Sequence, residues 1–265
     1  MNKIAFLGGG NIATAIMGGL LENGYTGKDI WVADPDEIQR QNLNEMGVGV
    51  TSDNAEATAG ADAILICVKP GQVKMAATSI VPLKPGQLVI SVAAGINTTS
   101  LRTWLAHANL VRCMPNTPAL IGEGMLALFA ENDLSKAARS LATELMSSVG
   151  ETRWFEQEHD LDTVTAISGS GPAYFFYLME TLIDAAMTLG LDEQSARHLV
   201  LQTALGTAQM AKISPHSPAQ LRQNVTSPGG TTQAACKVLT DQGLQSIIEK
   251  AATAAQQRSV ELGKS

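Results

Sequence analysis

Short apolar runs, each followed by a small-residue turn, recur through the first 120 residues of the chain. Between them, apolar residues recur at helical spacing, as at Ile12, Ile16 and Leu20. Continuous apolar runs of this length are typical of strands that are buried on both faces of a parallel sheet. The predicted strands are residues 4–7, 30–33, 62–68, 87–92 and 109–114, with a further short strand at 48–50. Alternation of strands and helices predicts an α/β fold, a Rossmann-like, mostly parallel sheet with helices on both faces.

The first of these runs leads through three glycines directly into a helix. Gly8, Gly10 and Ala13 fit the Gly-x-Gly-x-x-Gly/Ala pattern, in which glycines permit a tight turn and a close approach of a diphosphate to the backbone. Asp34 follows the second strand, at the distance expected for a carboxylate that accepts from a ribose hydroxyl. The strand, turn, helix and acid together favour a dinucleotide site over an ordinary glycine turn.

The pattern changes near residue 158. Residues 123–129 and 151–155, with a helix at 134–149, complete the first domain, and no convincing strand follows. We therefore predict a dinucleotide-binding domain over 1–158 and an all-helical domain over 159–265. Ala173–Leu189 is apolar on most sides, which favours burial in the interface of a symmetric dimer. A central core helix of a monomer is the alternative.

Composition excludes several other classes of protein. The formal charge of −7 and the absence of a basic run argue against nucleic-acid binding. No apolar stretch reaches the length of about 20 residues that a membrane span needs, and the start does not resemble a signal peptide, so we expect a cytoplasmic protein without a membrane partner. Three scattered cysteines and four distant histidines predict neither a disulfide framework nor a metal site.

A second glycine turn lies near the C-terminus. Residues 228–232, Pro-Gly-Gly-Thr-Thr, resemble an anion nest that opens a helix, where successive N–H groups and the helix dipole favour a carboxylate. A plain loop with a capping threonine is the alternative interpretation.

Five segments in sequence order resemble the signature segments of the pyrroline-5-carboxylate reductase family. They are residues 6–11, 68–70, 114–118, 168–174 and 224–232, and the resemblance extends over nearly the whole chain. It implies NADPH- or NADH-dependent reduction of 1-pyrroline-5-carboxylate to L-proline, the last step of proline biosynthesis. It also implies a homodimer formed by the helical domain, with a higher ring such as a decamer left open.

The resemblance assigns roles to matching positions. Thr232 is expected to be the catalytic residue that hydrogen-bonds the ring nitrogen, while N–H groups around Gly229, Gly230 and Thr231 hold the carboxylate. Asn224 and Glu158 are expected to support the substrate pocket. The expected cofactor-binding residues are Leu7, Gly8, Gly9, Gly10, Asn11, Ile12, Ala13, Asp34, Asn54, Val68, Lys69, Pro70, Ala93, Ala94 and Gly95.

The choice of coenzyme rests on Asp34 and Arg40. A carboxylate at residue 34 favours NAD, because it repels a 2′-phosphate, whereas Arg40 lies one helical turn further on. We expect activity with both NAD and NADP in their reduced forms.

Two other functions remain compatible with this architecture. One is a different two-domain enzyme, a hydroxyacid dehydrogenase or an F420-dependent NADP reductase, although Lys212, Lys237 and Lys250 lie in no matching motif. The other is a non-enzymatic sensor of the cofactor ratio.

Overall fold

The computed structural model describes residues 1–107 and 109–263. The chain forms two compact units, Met1–Ser170 together with the end of the chain from Ala254, and Gly171–Thr253. The first unit thus includes the last part of the C-terminal helix, which the sequence assigned to the second domain. The functional boundary at residue 158 stays a prediction.

The first unit contains one eight-stranded sheet in the order β3-β2-β1-β4-β5-β6-β7-β8. All neighbouring strands are parallel except β6 and β7. The strands are β1 Ile4–Leu7, β2 Ile30–Ala33, β3 Gly49–Thr51, β4 Ala63–Ile66, β5 Leu88–Ser91, β6 Leu110–Met114, β7 Gly124–Phe129 and β8 Gly150–Trp154. The predicted Rossmann-like, mostly parallel fold is therefore confirmed, with one antiparallel pair that the sequence pattern did not indicate.

Helices cover both faces of this sheet. They are α1 Asn11–Glu22, α2 Glu37–Glu45, α3 Asn54–Thr58, α4 Val73–Thr78, α5 Thr98–Leu105, α6 Lys136–Ser147 and α7 Asp160–Val164. Short 3₁₀ segments occupy Gly27–Asp29, Pro70–Gln72 and Thr117–Ile121, and a π-helical turn, Thr165–Gly169, follows α7.

Successive residues of β1 contribute to two separate cores. Ile4 and Phe6 belong to the cluster that includes Ile16 of α1, whereas Ala5 and Leu7 belong to the cluster on the other face. Strand side chains alternate between the faces of a sheet, so a strand with helices on both sides is apolar at every position. This is why a continuous apolar run predicted β1, β4 and β5.

Helices form all of the second unit. They are α8 Gly171–Thr188, α9 Glu193–Ile213, α10 Pro218–Asn224, α11 Thr231–Asp241 and the first part of α12, Leu244–Leu262. The described residues after Trp154 contain no strand, as predicted. Within the described residues, no helix has the length and apolar character that crossing a bilayer requires.

The last turns of α12 belong to the first unit and pack against its α7 and the turn after β5. Ser259 Oγ donates to Asp162 Oδ1 at 2.7 Å, and Gln256 Nε2 donates to Thr163 Oγ1 at 2.7 Å. The backbone at Leu262 lies against Gly95, where a Cβ atom would come within 3.1 Å of Leu262. The end of the chain therefore supports the turn that follows β5.

Helix α8 leaves its large apolar side chains uncovered. Phe175, Phe176 and Leu178 are 65%, 63% and 54% exposed, and Gly171 is the one buried residue of the helix. The alternative of a monomer core helix is therefore wrong, because a core helix buries such side chains. Exposed apolar side chains grouped on one helix are typical of an interaction surface.

Candidate functional site

The first glycine turn, residues 7–13, has two positions where only glycine fits. Gly8 has φ +92°, and a Cβ there would lie 2.9 Å from Val68 Cγ1. A Cβ on Gly9 would overlap Leu43 Cδ1, because the backbone here runs against α2. These glycines bring the turn close to β4 and α2, with Val68 beside Gly8.

Gly10 serves a different purpose. A Cβ on Gly10 would meet nothing within 4 Å, so the side of the turn above Gly10 is open. Gly10 is the N-cap of α1 and makes no side-chain cap bond. Among the described residues, the N–H groups of residues 10–13 have no hydrogen-bond acceptor. Four free N–H groups at a helix N-terminus suit a diphosphate.

Asp34 and Gln39 hydrogen-bond to the backbone N–H and the backbone C=O of Gly9, respectively. Gly9 N–H donates to Asp34 Oδ2 at 2.7 Å, and Gln39 Nε2 donates to Gly9 O. Asp36 N–H donates to the other Asp34 oxygen at 2.9 Å, and Arg40 Nη1 donates to the Asp34 carbonyl at 2.7 Å. Asp34 therefore orients the glycine turn in addition to any contact with a ribose. No motif in the sequence indicates this role of Gln39.

The turns after β4 and β5 lie at the same edge of the sheet as the first glycine turn. The register pairs Leu7 with Ala33 and Ile66, so residues 68–70 and 93–95 leave the sheet on the side where Gly8 does. Asn54 is the first residue of α3, and its Nδ2 donates to Ser79 Oγ at 2.9 Å. The structure thus brings the glycine-turn, β4 and β5 candidates to one edge and gives Asn54 a partner within the protein.

Glu158 accepts three hydrogen bonds from two residues of the first unit. Its carboxylate accepts from Thr98 N–H and Thr98 Oγ1, both at 2.8 Å, and from Arg112 Nη1 at 3.3 Å. Arg112 is only 5% exposed, so its charge needs this carboxylate. Glu158 therefore holds the start of α5 and neutralises a buried arginine. Neither contact was predicted from sequence.

Two signature segments meet in the first unit. Asn116 Nδ2 donates to Ser168 O at 3.2 Å, and Asn116 Oδ1 accepts from Met125 N–H at 2.9 Å. A Cβ on Gly169 would lie 2.5 Å from Cε, the flexible end of the Met114 side chain, so the two segments are in close contact. Residues 114–118 and 168–170 therefore form one packed junction.

The second glycine turn opens α11. Gly229 has φ +71°, and its N–H donates to Gln233 Oε1 at 2.7 Å. Gly230 N–H donates to Ser227 O at 3.0 Å, and Gly230 is the N-cap without a side-chain bond. Within the described residues, the N–H groups of Thr231, Thr232 and Gln233 have no acceptor. The free donors therefore begin at Thr231, two residues later than the predicted first donor, Gly229.

Asn224 ends α10, and its Oδ1 accepts from Gln220 Nε2 at 2.9 Å. Three residues then separate it from Pro228, where the second glycine turn begins.

Two of the three cysteines, Cys67 and Cys113, are not available as nucleophiles. Burial raises the pKa of the Cys67 thiol to about 12 and raises that of Cys113 as well. The thiolate is the reactive form, so both thiols are inert near neutral pH. The described residues contain no group of three His, Cys, Asp or Glu residues that could hold a metal ion.

Two family models match the chain. Residues 158–262 match the model for pyrroline-5-carboxylate reductase dimerisation, and residues 3–95 match that for NADP oxidoreductase, coenzyme F420-dependent. The second match covers only part of the first unit.

Known proteins match over the full length. The pyrroline-5-carboxylate reductase of Pseudomonas aeruginosa is 46% identical over 99% of this chain and 97% of its own. A solved pyrroline-5-carboxylate reductase from Coxiella burnetii is 41% identical, with a TM-score of 0.94 over 100% of this chain and 99% of its own. The Plasmodium falciparum pyrroline carboxylate reductase, solved with NADP bound, is 30% identical, with a TM-score of 0.88 over 99% and 98%. The chain therefore belongs to the pyrroline-5-carboxylate reductase family.

Proposed function

We propose that this protein reduces 1-pyrroline-5-carboxylate to L-proline with NADPH or NADH, the last step of proline biosynthesis. The observation that carries the proposal is the similarity to pyrroline-5-carboxylate reductases over the whole chain, at 46% identity to the Pseudomonas aeruginosa enzyme. The protein is accordingly an oxidoreductase that acts on a C=N bond.

The first glycine turn fits the coenzyme. The open side above Gly10 and the free N–H groups of residues 10–13 suit the diphosphate, and the turns at 68–70 and 93–95 line the same sheet edge. When bound, NADPH or NADH supplies the hydride. We assign the other candidates at this edge, Leu7 and Asp34, to the diphosphate turn and the adenosine ribose.

Asp34 does not exclude NADPH. Each of its carboxylate oxygens already accepts a backbone N–H, which disperses part of its negative charge. The Arg40 guanidinium is held at the Asp34 carbonyl, at the end of β2 where a 2′-phosphate would approach. The balance of these two charges supports use of both coenzymes.

We place the substrate carboxylate on the start of α11. The free N–H groups of Thr231, Thr232 and Gln233 converge there with the helix dipole. Gly229 and Gly230 shape the turn, since their own N–H groups already have acceptors. This assignment keeps the second glycine turn as the carboxylate site and moves its donors toward the helix.

Thr232 is the candidate for contact with the ring nitrogen. Hydride transfer to a cyclic imine needs no covalent nucleophile, only orientation and stabilisation of the nitrogen as it becomes an amine. A threonine hydroxyl is a weak acid, so we assign it to polarising and positioning the nitrogen rather than to supplying the proton. The proton arrives on the protonated imine or through water.

Asn224 and Glu158 act through other residues. Asn224 terminates α10 just before the second glycine turn and is proposed to fix the path into it. Glu158 anchors Thr98 of α5 and Arg112 of β6, so we propose that it positions the adjoining β5–α5 segment rather than contacting substrate.

The protein forms oligomers through its dimerisation region. We propose a homodimer in which a second copy covers the apolar face of α8, with assembly of dimers into a ring such as a decamer. Three free cysteines suit a reducing compartment, and we propose the cytoplasm.

Loss of NADPH absorbance on adding 1-pyrroline-5-carboxylate tests the function. We expect steady turnover with stoichiometric L-proline, and no NAD(P) reduction with 3-hydroxy acids. Turnover of hydroxy acids without turnover of the imine would identify a different oxidoreductase.

A further inference from the structure

The second glycine turn lacks the usual means of fixing a helix start. The N-cap of α11 is Gly230, which has no side chain to accept from the first turn of the helix. Ser, Thr, Asp and Asn are preferred at this position because their oxygen atoms do so. Two adjacent glycines also leave the backbone with unusual conformational freedom. Something else must hold residues 228–230 in place.

Gln233 supplies that restraint. It is the third residue of α11, and its Oε1 accepts from Gly229 N–H at 2.7 Å. In a capping box, a Glu or Gln at the third position reaches back to the N-cap N–H. Here Ser227 O already takes the N–H of Gly230, so Gln233 reaches one residue further, to the N–H of Gly229.

The same residue contributes at both ends of the turn. Its side chain fixes Gly229 at φ +71°, and its own backbone N–H is one of the three free donors at the start of α11. A carboxylate bound to those donors needs them to point together before it arrives, because an ordered site avoids the entropy cost of ordering on binding.

We propose that Gln233 is a positioning residue for the substrate carboxylate: its side-chain amide holds the second glycine turn in the shape that aims the α11 N–H groups at the acid. This inference rests on the proposed function and adds a residue that the family signature segments do not include. It assigns Gln233 no contact with the coenzyme.

Two variants separate positioning from simple folding. Gln233→Leu removes the acceptor at similar size. Gln233→Glu keeps an acceptor, and an acid in the first turn of a helix is favourable to its stability, so this variant retains the fold. It also places a negative charge beside the substrate carboxylate. Gln242→Leu and Gln242→Glu are matched controls, because Gln242 is an exposed residue at the other end of α11.

Steady-state kinetics on the full-length protein, with each substrate varied in turn, gives the test. Gln233→Leu should raise KM for 1-pyrroline-5-carboxylate roughly two- to tenfold, the range for one hydrogen bond, and leave kcat and KM for NADPH within about twofold. Gln233→Glu should raise the same KM about tenfold at low salt, with an unchanged melting temperature, and high salt should reduce the effect. Both Gln242 variants should match the wild type.

Other results would overturn the inference. An unchanged KM for the imine in Gln233→Leu, equal rises in both KM values, or wild-type kinetics in Gln233→Glu would each show that Gln233 does not position the acid. Wild-type protein that fails to turn over 1-pyrroline-5-carboxylate would instead refute the proposed function, and the inference with it.

Discussion

Replacing Gly10 with alanine tests the binding of the coenzyme's diphosphate at the first glycine turn without disturbing the fold. The added methyl group would meet no protein atom within 4 Å, and the Gly10 backbone, at φ −67° and ψ −176°, is open to any residue. The methyl group does, however, occupy the open side of the first glycine turn. A diphosphate bound to the N–H groups of residues 10–13 would clash with this methyl group.

The effect of Gly10→Ala on folding is expected to be small because two contributions oppose each other. Alanine restricts the unfolded chain, which stabilises by about 0.4–1 kcal/mol. Alanine is a poorer N-cap than glycine, which costs roughly 0.5–1 kcal/mol. The free energy of unfolding should therefore stay within about 1 kcal/mol of wild type, a melting shift of at most about 4 °C. NADPH affinity should fall at least about tenfold, or about 1.4 kcal/mol.

Fluorescence titration with NADPH and a thermal melt measure both quantities, and Gly9→Ala is the matched control. Its Cβ would overlap Leu43, which is 1% exposed, so overpacking should cost about 1–3 kcal/mol and lower the melting temperature. If Gly10→Ala binds NADPH within about twofold of wild type while remaining folded, the diphosphate does not bind at this turn.

Three further predictions concern the reaction, the coenzyme and stability. Thr232→Ala should lower kcat/KM about tenfold or more. Thr231→Ala, which keeps the backbone N–H of residue 231, should change kcat/KM little. A loss within about twofold in Thr232→Ala would contradict the polarising role of Thr232. Wild type should use both coenzymes, and Asp34→Asn should shift the ratio of kcat/KM values toward NADPH roughly tenfold. A wild-type affinity for NADPH more than about a hundredfold above that for NADH would refute the argument that the Asp34 carboxylate disfavours a 2′-phosphate. Burial and the hydrogen bond to Glu144 raise the pKa of Tyr25 from 10.0 to about 12. The neutral phenol therefore stabilises the fold fully below pH 10, and the free energy of unfolding should fall as the pH rises toward 12, a fall that Tyr25→Phe should not show.

Much of the first unit was predictable because its strands are buried on both faces. Runs such as Ile4–Leu7 and Ala63–Ile66 need no alternation to be recognised, and glycine or proline marks the end of each. The direction of β7 was not predictable, since apolar side chains are the same whichever way a strand runs. The return of α12 to the first unit also left no periodic signal, because it depends on single contacts such as Ser259 with Asp162.

The candidate sites were predictable where a motif fixes backbone geometry. The spacing of the glycine motif alone was enough to identify Gly8 and Gly10 as positions of the first turn. The partners that hold the two turns did not follow, because Gln39 and Gln233 resemble any exposed glutamine in sequence. Glu158 has its partners 46 and 60 residues away in the sequence, a separation that no local pattern reports.

The central claim is that both glycine turns serve one reaction, the first holding a diphosphate and the second an acid. A crystal structure with NADPH and a non-reactive five-membered-ring carboxylate tests it most directly. We expect the diphosphate on the N–H groups of residues 10–13, the carboxylate on those of residues 231–233, and the nicotinamide C4 within about 3.5 Å of the ring carbon that accepts the hydride. A carboxylate bound away from α11, or a ring far from the nicotinamide, would contradict the account.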